Sequence, residues 1–202
     1  QRFPSPETYR ELIRHGIGLV PEDRKRSGLM LDQSVRHNLS MVCLPSLSTW
    51  GIVHGHREHQ QAISNLNELK IRAPSLQSPA GTLSGGNQQK VALSKWLQTE
   101  PKLLLLDEPT RGIDVGAKHE VYELMNEWTS RGIAIILITS EMPELLAMSD
   151  RILVVREGLI ARQLQPAEAT DAIVAIDLFA VRGGLQLSRW VPWGFPVLCR
   201  GH

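Results

Sequence analysis

Hydrophobic positions in the middle of the chain change from a helical to an extended spacing, and this change predicts a layered fold. Leu103 to Leu106 and Ile133 to Ile138 are short apolar runs, which are typical of parallel strands buried on both faces. Between them, one helix face is formed by Val121, Leu124, Met125 and Trp128. The order of strand, helix and strand predicts an α/β fold.

The preceding half of the chain has a mainly helical pattern. Residues 27–98 follow this pattern, with turn-rich breaks at 45–55 and 74–81. We interpret residues 27–98 as an inserted α-helical subdomain. Before it, Ser5-Pro6-Glu7 predicts a helix start, because a serine cap, a proline in the first turn and an acidic residue all favour one. Ile17 to Val20 predicts a short strand.

The last third of the chain begins with regular elements and then loses its period. Arg151 to Val155 predicts a strand, and Glu157-Gly158 predicts a tight turn into an extended segment, Leu159 to Gln163. Pro166 to about Ile176 predicts a terminal helix. Residues 177–202 show no clear period, and we assign them no structure.

Composition excludes several classes of protein. The 202 residues are 42% hydrophobic and 21% charged, as in soluble globular domains. The formal net charge of +1 argues against a strongly basic nucleic-acid interface or a polybasic membrane anchor. Cys43 and Cys199 form no CxxC pair, so we expect neither a zinc site nor a disulfide framework. We expect the protein to lie in a reducing compartment. The chain begins at Gln1, and we expect it to be part of a longer protein.

Two adjacent carboxylates, Asp107 and Glu108, follow the first apolar run. A strand that ends this way can deliver Asp107 rigidly to Mg²⁺. Glu108, which faces the other way by strand alternation, can then orient or deprotonate a water that attacks a γ-phosphate. The same pattern also fits a buried strand that simply ends in a polar loop.

A second motif lies upstream, where Ser84-Gly85-Gly86-Asn87 opens a helix. Glycines at a helix start let backbone N–H groups approach an anion closely, and the helix dipole favours negative charge there. The motif therefore predicts a phosphate-binding site. The alternative is a glycine-rich loop that Ser84 merely caps.

These two motifs together resemble the signature motif and the Walker B strand of ATP-binding-cassette (ABC) ATPases. They occur in the family's order, 107 − 84 = 23 residues apart. Arg111-Gly112-Ile113-Asp114 stands at the place of the family's D-loop. The resemblance covers roughly residues 4–176 and implies a partial P-loop-NTPase-like parallel sheet flanked by helices.

Two departures make the resemblance more specific. Glu22 lies where the family usually has a glutamine-containing loop, and Ser140 lies where it usually has the switch histidine. Both are similar to the second nucleotide-binding half of monosaccharide importers of the ribose, galactose, xylose and arabinose group. This implies an ATPase that is cytoplasmic, peripheral on the inner face of the cell membrane, and coupled to sugar uptake.

The resemblance also assigns roles to individual residues, with ATP and Mg²⁺ as cofactors. It implies Glu108 as the catalytic residue and Asp107 as the metal ligand. The other nucleotide-binding positions it implies are Ser84, Gly85, Gly86, Asn87, Glu22, Asp114 and Ser140. Of these, Ser84, Gly85 and Gly86 would contact a γ-phosphate held by the partner half.

A GxxxxGK[ST] loop, which cradles the β-phosphate in such sites, is absent from the sequence. We therefore expect residues 1–176 to form a partial nucleotide-binding domain that binds ATP weakly in isolation. The implied partners are the first nucleotide-binding half of the same chain, membrane permease subunits and, indirectly, a periplasmic or extracellular sugar-binding protein, with no nucleic acid. Arg24, Lys25 and Arg26 are expected either to face the permease or to form a solvated turn.

Two other functions stay open at this point. A non-catalytic regulatory or degenerate cassette is consistent with the missing loop and with Glu22 and Ser140. A soluble ABC ATPase that acts on nucleic acid or ribosomes has the same motifs, although the near-neutral charge argues against it.

Overall fold

The computed structural model describes residues 6–156, 159–169 and 178–182; for residues 6–9, 156 and 178–182 it describes the backbone only. Three sequence predictions lie outside the described residues. They are the cap at Ser5, the turn at Glu157-Gly158 and the part of the terminal helix after Ala169.

The elements follow in chain order. The α-helices are α1 (Pro6–Arg14), α2 (Val35–Ser40), α3 (Leu44–Leu47), α4 (Gly55–Glu68), α5 (Gly85–Leu97), α6 (Val115–Ser130) and α7 (Met142–Met148). The strands are β1 (Ile17–Val20), β2 (Ser48–Thr49), β3 (Ile52–Val53), β4 (Leu103–Asp107), β5 (Ala134–Ile138), β6 (Arg151–Arg156), β7 (Leu159–Leu164) and β8 (Leu178–Arg182). A single π-helical turn covers Arg24–Gly28, and single 3₁₀ turns cover Ala80–Thr82 and Pro166–Glu168.

A six-stranded sheet in the order β1-β4-β5-β8-β6-β7 forms the centre of the fold. Strands β1, β4 and β5 are parallel, with Val20 opposite Leu106 and Asp107 opposite Ile138. In β4 and β5, Leu104, Leu106, Ile135 and Leu137 are fully buried and the alternate residues Leu105 and Ile136 are half-buried. Both faces are therefore covered, in line with the continuous apolar runs. The predicted α/β fold with a parallel sheet flanked by helices is confirmed, and the carboxyl ends of β1, β4 and β5 meet at one edge.

The far side of the sheet differs from the prediction. Strand β8 comes from the segment to which we assigned no structure, and it lies antiparallel between β5 and β6. Strand β7 is antiparallel to β6, so the sheet is mixed. The helix predicted from Pro166 is wrong as far as the structure describes it. A single 3₁₀ turn forms there, capped by the Glu168 carboxylate, which accepts the Gln165 N–H at 3.0 Å, and Ala169 is extended.

Residues 27–98 contain α2 to α5, in line with their helical pattern. Helix α5 packs against β1, α2 and α6 and joins this region to the sheet. The break at 45–55 holds the hairpin β2–β3. Cys43 is a free, buried thiol whose Sγ donates to Oε1 of Gln98 at 2.6 Å, and burial raises the pKa of this thiol to about 11. Within the described ranges, no helix has both the length and the hydrophobicity that a bilayer span requires.

Candidate functional site

Three loops meet at the carboxyl-terminal edge of the parallel strands. They are residues 21–28 after β1, residues 108–114 after β4 and residues 139–141 after β5. In open α/β sheets this edge is where ligands bind. The predicted site residues Glu22, Glu108 and Ser140 each lie in one of these loops, within two residues of the end of a parallel strand.

Glu108 has an unusual backbone conformation. Its φ of +47° lies in the left-handed region, which is costly for a residue with a Cβ. Its N–H donates to the Ile138 carbonyl at 2.8 Å, and its carboxylate Oε1 accepts the main-chain N–H of Ser140, also at 2.8 Å. The structure therefore brings two of the predicted site residues, Glu108 and Ser140, together. The contact uses the backbone N–H of Ser140 and not its hydroxyl. Asp107, the last residue of β4, is half-buried beside them.

A buried carboxylate, which sequence reasoning missed, lies behind this pair. Glu144 is 2% exposed and accepts the hydroxyls of Thr110, at 3.0 Å, and of Thr139. Burial raises the pKa of Glu144, and the two hydroxyls oppose this shift. Thr110 follows Glu108 by two residues and Thr139 precedes Ser140, so Glu144 ties the two loops together. The sequence signal that could have indicated a buried Glu144 is its spacing of four residues from Met148, which is buried on the same helix, α7.

Ser84 caps the start of α5, as expected from the alternative interpretation of this motif, a glycine-rich loop with a serine cap. The Ser84 Oγ accepts the N–H of Asn87 at 3.5 Å and its side-chain Nδ2 at 2.9 Å. Asn87 Oδ1 in turn accepts the Arg72 N–H at 2.8 Å. The amides of Gly85 and Gly86, in the first helical turn, find no acceptor within the described part of the chain. Gly85 is half-buried and Gly86 is buried, and the phosphate-binding role of these amides stays a prediction.

A side chain would be crowded at Gly85 and would not fit at Gly86. A Cβ on Gly85 would stand 3.0 Å from Nη2 of Arg24, and a Cβ on Gly86 would stand 2.5 Å from the Cβ of Ala117. Ala117 belongs to α6, which Asp114 caps by accepting the Ala117 N–H at 2.9 Å. The starts of α5 and α6 are therefore in contact, and Asp114 and Gly86 lie at the same junction.

The turn after β1 joins this junction from the other side. Glu22 forms an ion pair with Arg111. Arg24 is buried, whereas Lys25 and Arg26 are exposed. The expectation that all three cations face the permease or solvent is thus wrong for Arg24. The reason is the π-helical turn, in which the Asp23 carboxylate accepts the N–H groups of Lys25 and Arg26 and directs Arg24 inward.

The sequence model of the family described as ABC transporter matches residues 4–111, more than half of the chain. The chain belongs to the ABC transporter family. This ABC transporter chain is 49% identical over 161 residues to the xylose import ATP-binding protein XylG of Geobacillus kaustophilus, with 80% of the chain and 32% of XylG covered. It is equally identical to the ribose import ATP-binding protein RbsA of Bacillus subtilis, of which it covers 33%. The chain spans about a third of the length of the curated relatives that it matches.

Solved structures of ABC proteins share the fold. The cassette MJ0796 was solved as a dimer in a post-hydrolysis state bound to ADP and Pi. It superimposes on this chain with a TM-score of 0.66 at 19% identity, and the match covers 81% of this chain and 68% of the MJ0796 chain. At this identity the likeness shows the fold alone. CbiO1 of Clostridium perfringens, part of the ABC transporter complex CbiONQ, has a TM-score of 0.63 at 28% identity and covers 81% of this chain and 62% of its own.

The residues present in this ABC transporter chain are compatible with Mg²⁺ and a nucleotide phosphate. In the described ranges, no group of three or more His, Cys, Asp or Glu side chains is arranged to hold a metal ion. Mg²⁺ in nucleotide sites commonly takes one or two carboxylates and completes its shell with phosphate oxygens and water. Asp107 fits as such a single ligand, and the first-turn amides of α5 fit an anion.

Proposed function

We propose that the chain is the C-terminal part of the second nucleotide-binding domain of a sugar-importing ABC transporter. Residues 27–98 are its helical subdomain, and residues 1–176 comprise the part of the domain that lacks the β-phosphate loop. The proposal is supported by the names of the relatives, which are xylose and ribose import ATP-binding proteins similar over 80% of the chain.

The intact protein, in this proposal, hydrolyses ATP with Mg²⁺ on the inner face of the cell membrane. Its first nucleotide-binding half lies on the same chain, and the exposed Lys25 and Arg26 face the membrane permease. An extracellular or periplasmic sugar-binding protein acts through that permease. ATP binding and hydrolysis drive the permease rearrangement that admits the sugar.

The proposed division of labour depends on one observation: among the residues that the structure describes, no acceptor pairs with the amides of Gly85 and Gly86, while the Glu108 carboxylate already accepts the Ser140 N–H. The start of α5 then contributes an anion site to ATP held by the partner half. Asp107 and Glu108 serve this half's own nucleotide, which would be hydrolysed slowly. The neutral Ser140 cannot provide the charge-assisted hydrogen bond that an imidazolium gives to a developing negative charge.

The test measures ATP hydrolysis by the full transporter in proteoliposomes. Ser84→Arg, which places a bulky cation at the α5 start, should reduce hydrolysis by about 100-fold or more. Glu108→Gln should keep more than about half of the wild-type rate, since a catalytic carboxylate on the slow half contributes little to turnover. The reverse pattern would overturn this division of labour. A wild-type transporter without ATPase activity would instead favour the regulatory cassette, and salt-sensitive RNA binding would favour the nucleic-acid alternative.

A further inference from the structure

Arg24 is a buried cation between the loop after β4 and the start of α5. It is 9% exposed, and its two terminal nitrogens donate to successive main-chain carbonyls, Nη1 to Arg111 at 2.9 Å and Nη2 to Gly112 at 3.2 Å. Because 87 and 88 residues separate Arg24 from these partners, this contact is tertiary. Gly112 has a φ of +68°, so the carbonyl pair lies at a sharp turn of the loop.

The energetic cost of burying this guanidinium indicates a role beyond packing. Within the described part of the chain, no carboxylate forms an ion pair with Arg24, and its buried Nε has no partner. Burial lowers the pKa of Arg24, which reflects the cost of removing the charge from water, and only the nearby Asp23 opposes this shift. An apolar side chain of similar volume would fill the same space at lower cost. What it could not do is hold two carbonyl oxygens at fixed positions.

The same guanidinium lies against the start of α5. Its Nη2 is 3.0 Å from the position that a Cβ on Gly85 would occupy, so the absence of a side chain at Gly85 leaves room for the guanidinium. The loop residue Arg111 is held twice, because its side chain also pairs with Glu22. Its N–H donates to the Glu108 carbonyl at 3.1 Å. A continuous set of contacts therefore leads from the α5 start through Arg24 and Arg111 to Glu108.

We propose that Arg24 is a positioning residue that fixes the loop 108–114 relative to the start of α5. It thereby holds the start of α5, with the amides of Gly85 and Gly86 that the proposed function assigns to the partner half's ATP, in one position against the loop that carries Asp114. This inference rests on the proposed ATPase function. A lysine cannot replace Arg24, because an ammonium is a point charge on a flexible stem, whereas the planar guanidinium offers two parallel donors to the adjacent carbonyls.

The experiment compares Arg24→Lys and Arg24→Ala with the wild type in the full transporter. The matched control is Arg57→Gln, at an exposed arginine on α4. Both Arg24 variants should reduce kcat for ATP hydrolysis by at least about tenfold with little change in KM, since displacing the amides at the start of α5 slows the chemical step at the partner half's ATP. Added guanidinium ion should restore part of the kcat of Arg24→Ala, and should affect neither the wild type nor Arg57→Gln.

Three outcomes separate the inference from simpler explanations. Unchanged kcat in both Arg24 variants would overturn it. A second contradicting result is that both variants lose thermal stability together with kcat and that guanidinium ion restores neither. Arg24 would then be a structural residue only. If the wild type shows no ATPase activity, the proposed function fails, and hydrogen exchange still tests Arg24. In the chain itself, the amides of Asn87 and Arg111, which donate to the Ser84 hydroxyl and the Glu108 carbonyl, should exchange faster in Arg24→Ala than in Arg57→Gln, and equal exchange would contradict the positioning role.

Discussion

The main-chain N–H of Ser140 donates a hydrogen bond to the carboxylate of Glu108 at 2.8 Å and so joins the loop after β5 to the loop after β4. The contact needs an acceptor at position 108 and a backbone N–H at position 140. It does not need the serine hydroxyl. A residue of almost any type at position 140 could therefore hold Glu108 through its backbone N–H. The hydrogen bond that position 140 could donate to a phosphate, in contrast, depends on its side chain.

This relationship predicts unequal effects on stability from three substitutions. Ser140→Ala keeps the N–H and should change the free energy of unfolding by less than about 0.5 kcal/mol. Glu108→Gln keeps an acceptor oxygen, whereas Glu108→Ala removes it, so the alanine variant should be less stable than the glutamine variant by about 1 kcal/mol. Urea unfolding measures all three. Equal stability of the two Glu108 variants would show that the bond contributes nothing.

The contact between Gly86 and Ala117 makes a second prediction. Gly86→Ala should destabilise the chain by about 1 to 2 kcal/mol despite the better helix propensity of alanine, because the new Cβ would be 2.5 Å from that of Ala117. Ala117→Gly should restore the space, so the double variant should be more stable than the sum of the two single effects by a similar amount.

The control for this cycle is Gly55→Ala, at the start of α4, where a Cβ meets nothing within 4 Å. This variant should be neutral or slightly stabilised. Additive effects of Gly86→Ala and Ala117→Gly in urea unfolding would mean that α5 and α6 separate without cost.

The parts of the fold that were predictable from sequence are those whose causes are local. The apolar run of β4 and its terminal carboxylates are adjacent in the chain, and so are Ser84 and the glycines of α5. Each carries its own signal, because strand burial and helix capping act over a few residues. Glu108 lies at the sheet edge, as the strand pattern indicates, and Ser84 caps α5, as the alternative interpretation of that motif expected. The catalytic and phosphate-binding roles of these residues stay predictions.

The features that escaped prediction depend on partners far away in the chain. Strand β8 exists by pairing with β5 and β6, and a run of five residues carries no periodic signal of its own. Arg24 looked like one of three exposed cations, and its carbonyl partners are almost 90 residues away. Glu144 looked like a polar helix residue until Thr110 and Thr139 were placed beside it.

The hairpin β2–β3 makes a third prediction, about backbone strain. Trp50 and Gly51 form its turn with φ values of +54° and +79°, a conformation that favours Asn-Gly. The Trp50 side chain is 97% exposed and packs against almost nothing. Trp50→Asn should therefore raise the free energy of unfolding by about 1 kcal/mol, as measured with urea. Thr49→Asn, one residue earlier in β2, should lower it, and a loss of stability in Trp50→Asn would contradict the strain argument.

Glu144 makes the last prediction, a dependence of stability on pH. Burial raises the pKa of this carboxyl above its ordinary value of 4.5, so the folded chain holds the proton more tightly than the unfolded chain does. The free energy of unfolding should then decrease as the pH rises from about 4.5 through the raised pKa, and level off above it. Thr110, Thr139, Tyr122, Glu141 and Lys118 are the neighbours that modulate this pKa.

Two substitutions isolate this effect in urea titrations at a series of pH values. Glu144→Gln keeps the shape and the acceptor oxygen but cannot ionise, so its stability relative to the wild type should increase across that pH range. Thr110→Val removes a hydroxyl that favours the ionised carboxylate, so it should raise the pKa of Glu144 further and widen the range over which stability falls. A difference between Glu144→Gln and the wild type that is constant with pH would show that Glu144 titrates at its ordinary pKa. The two hydroxyls would then fully offset the cost of its burial.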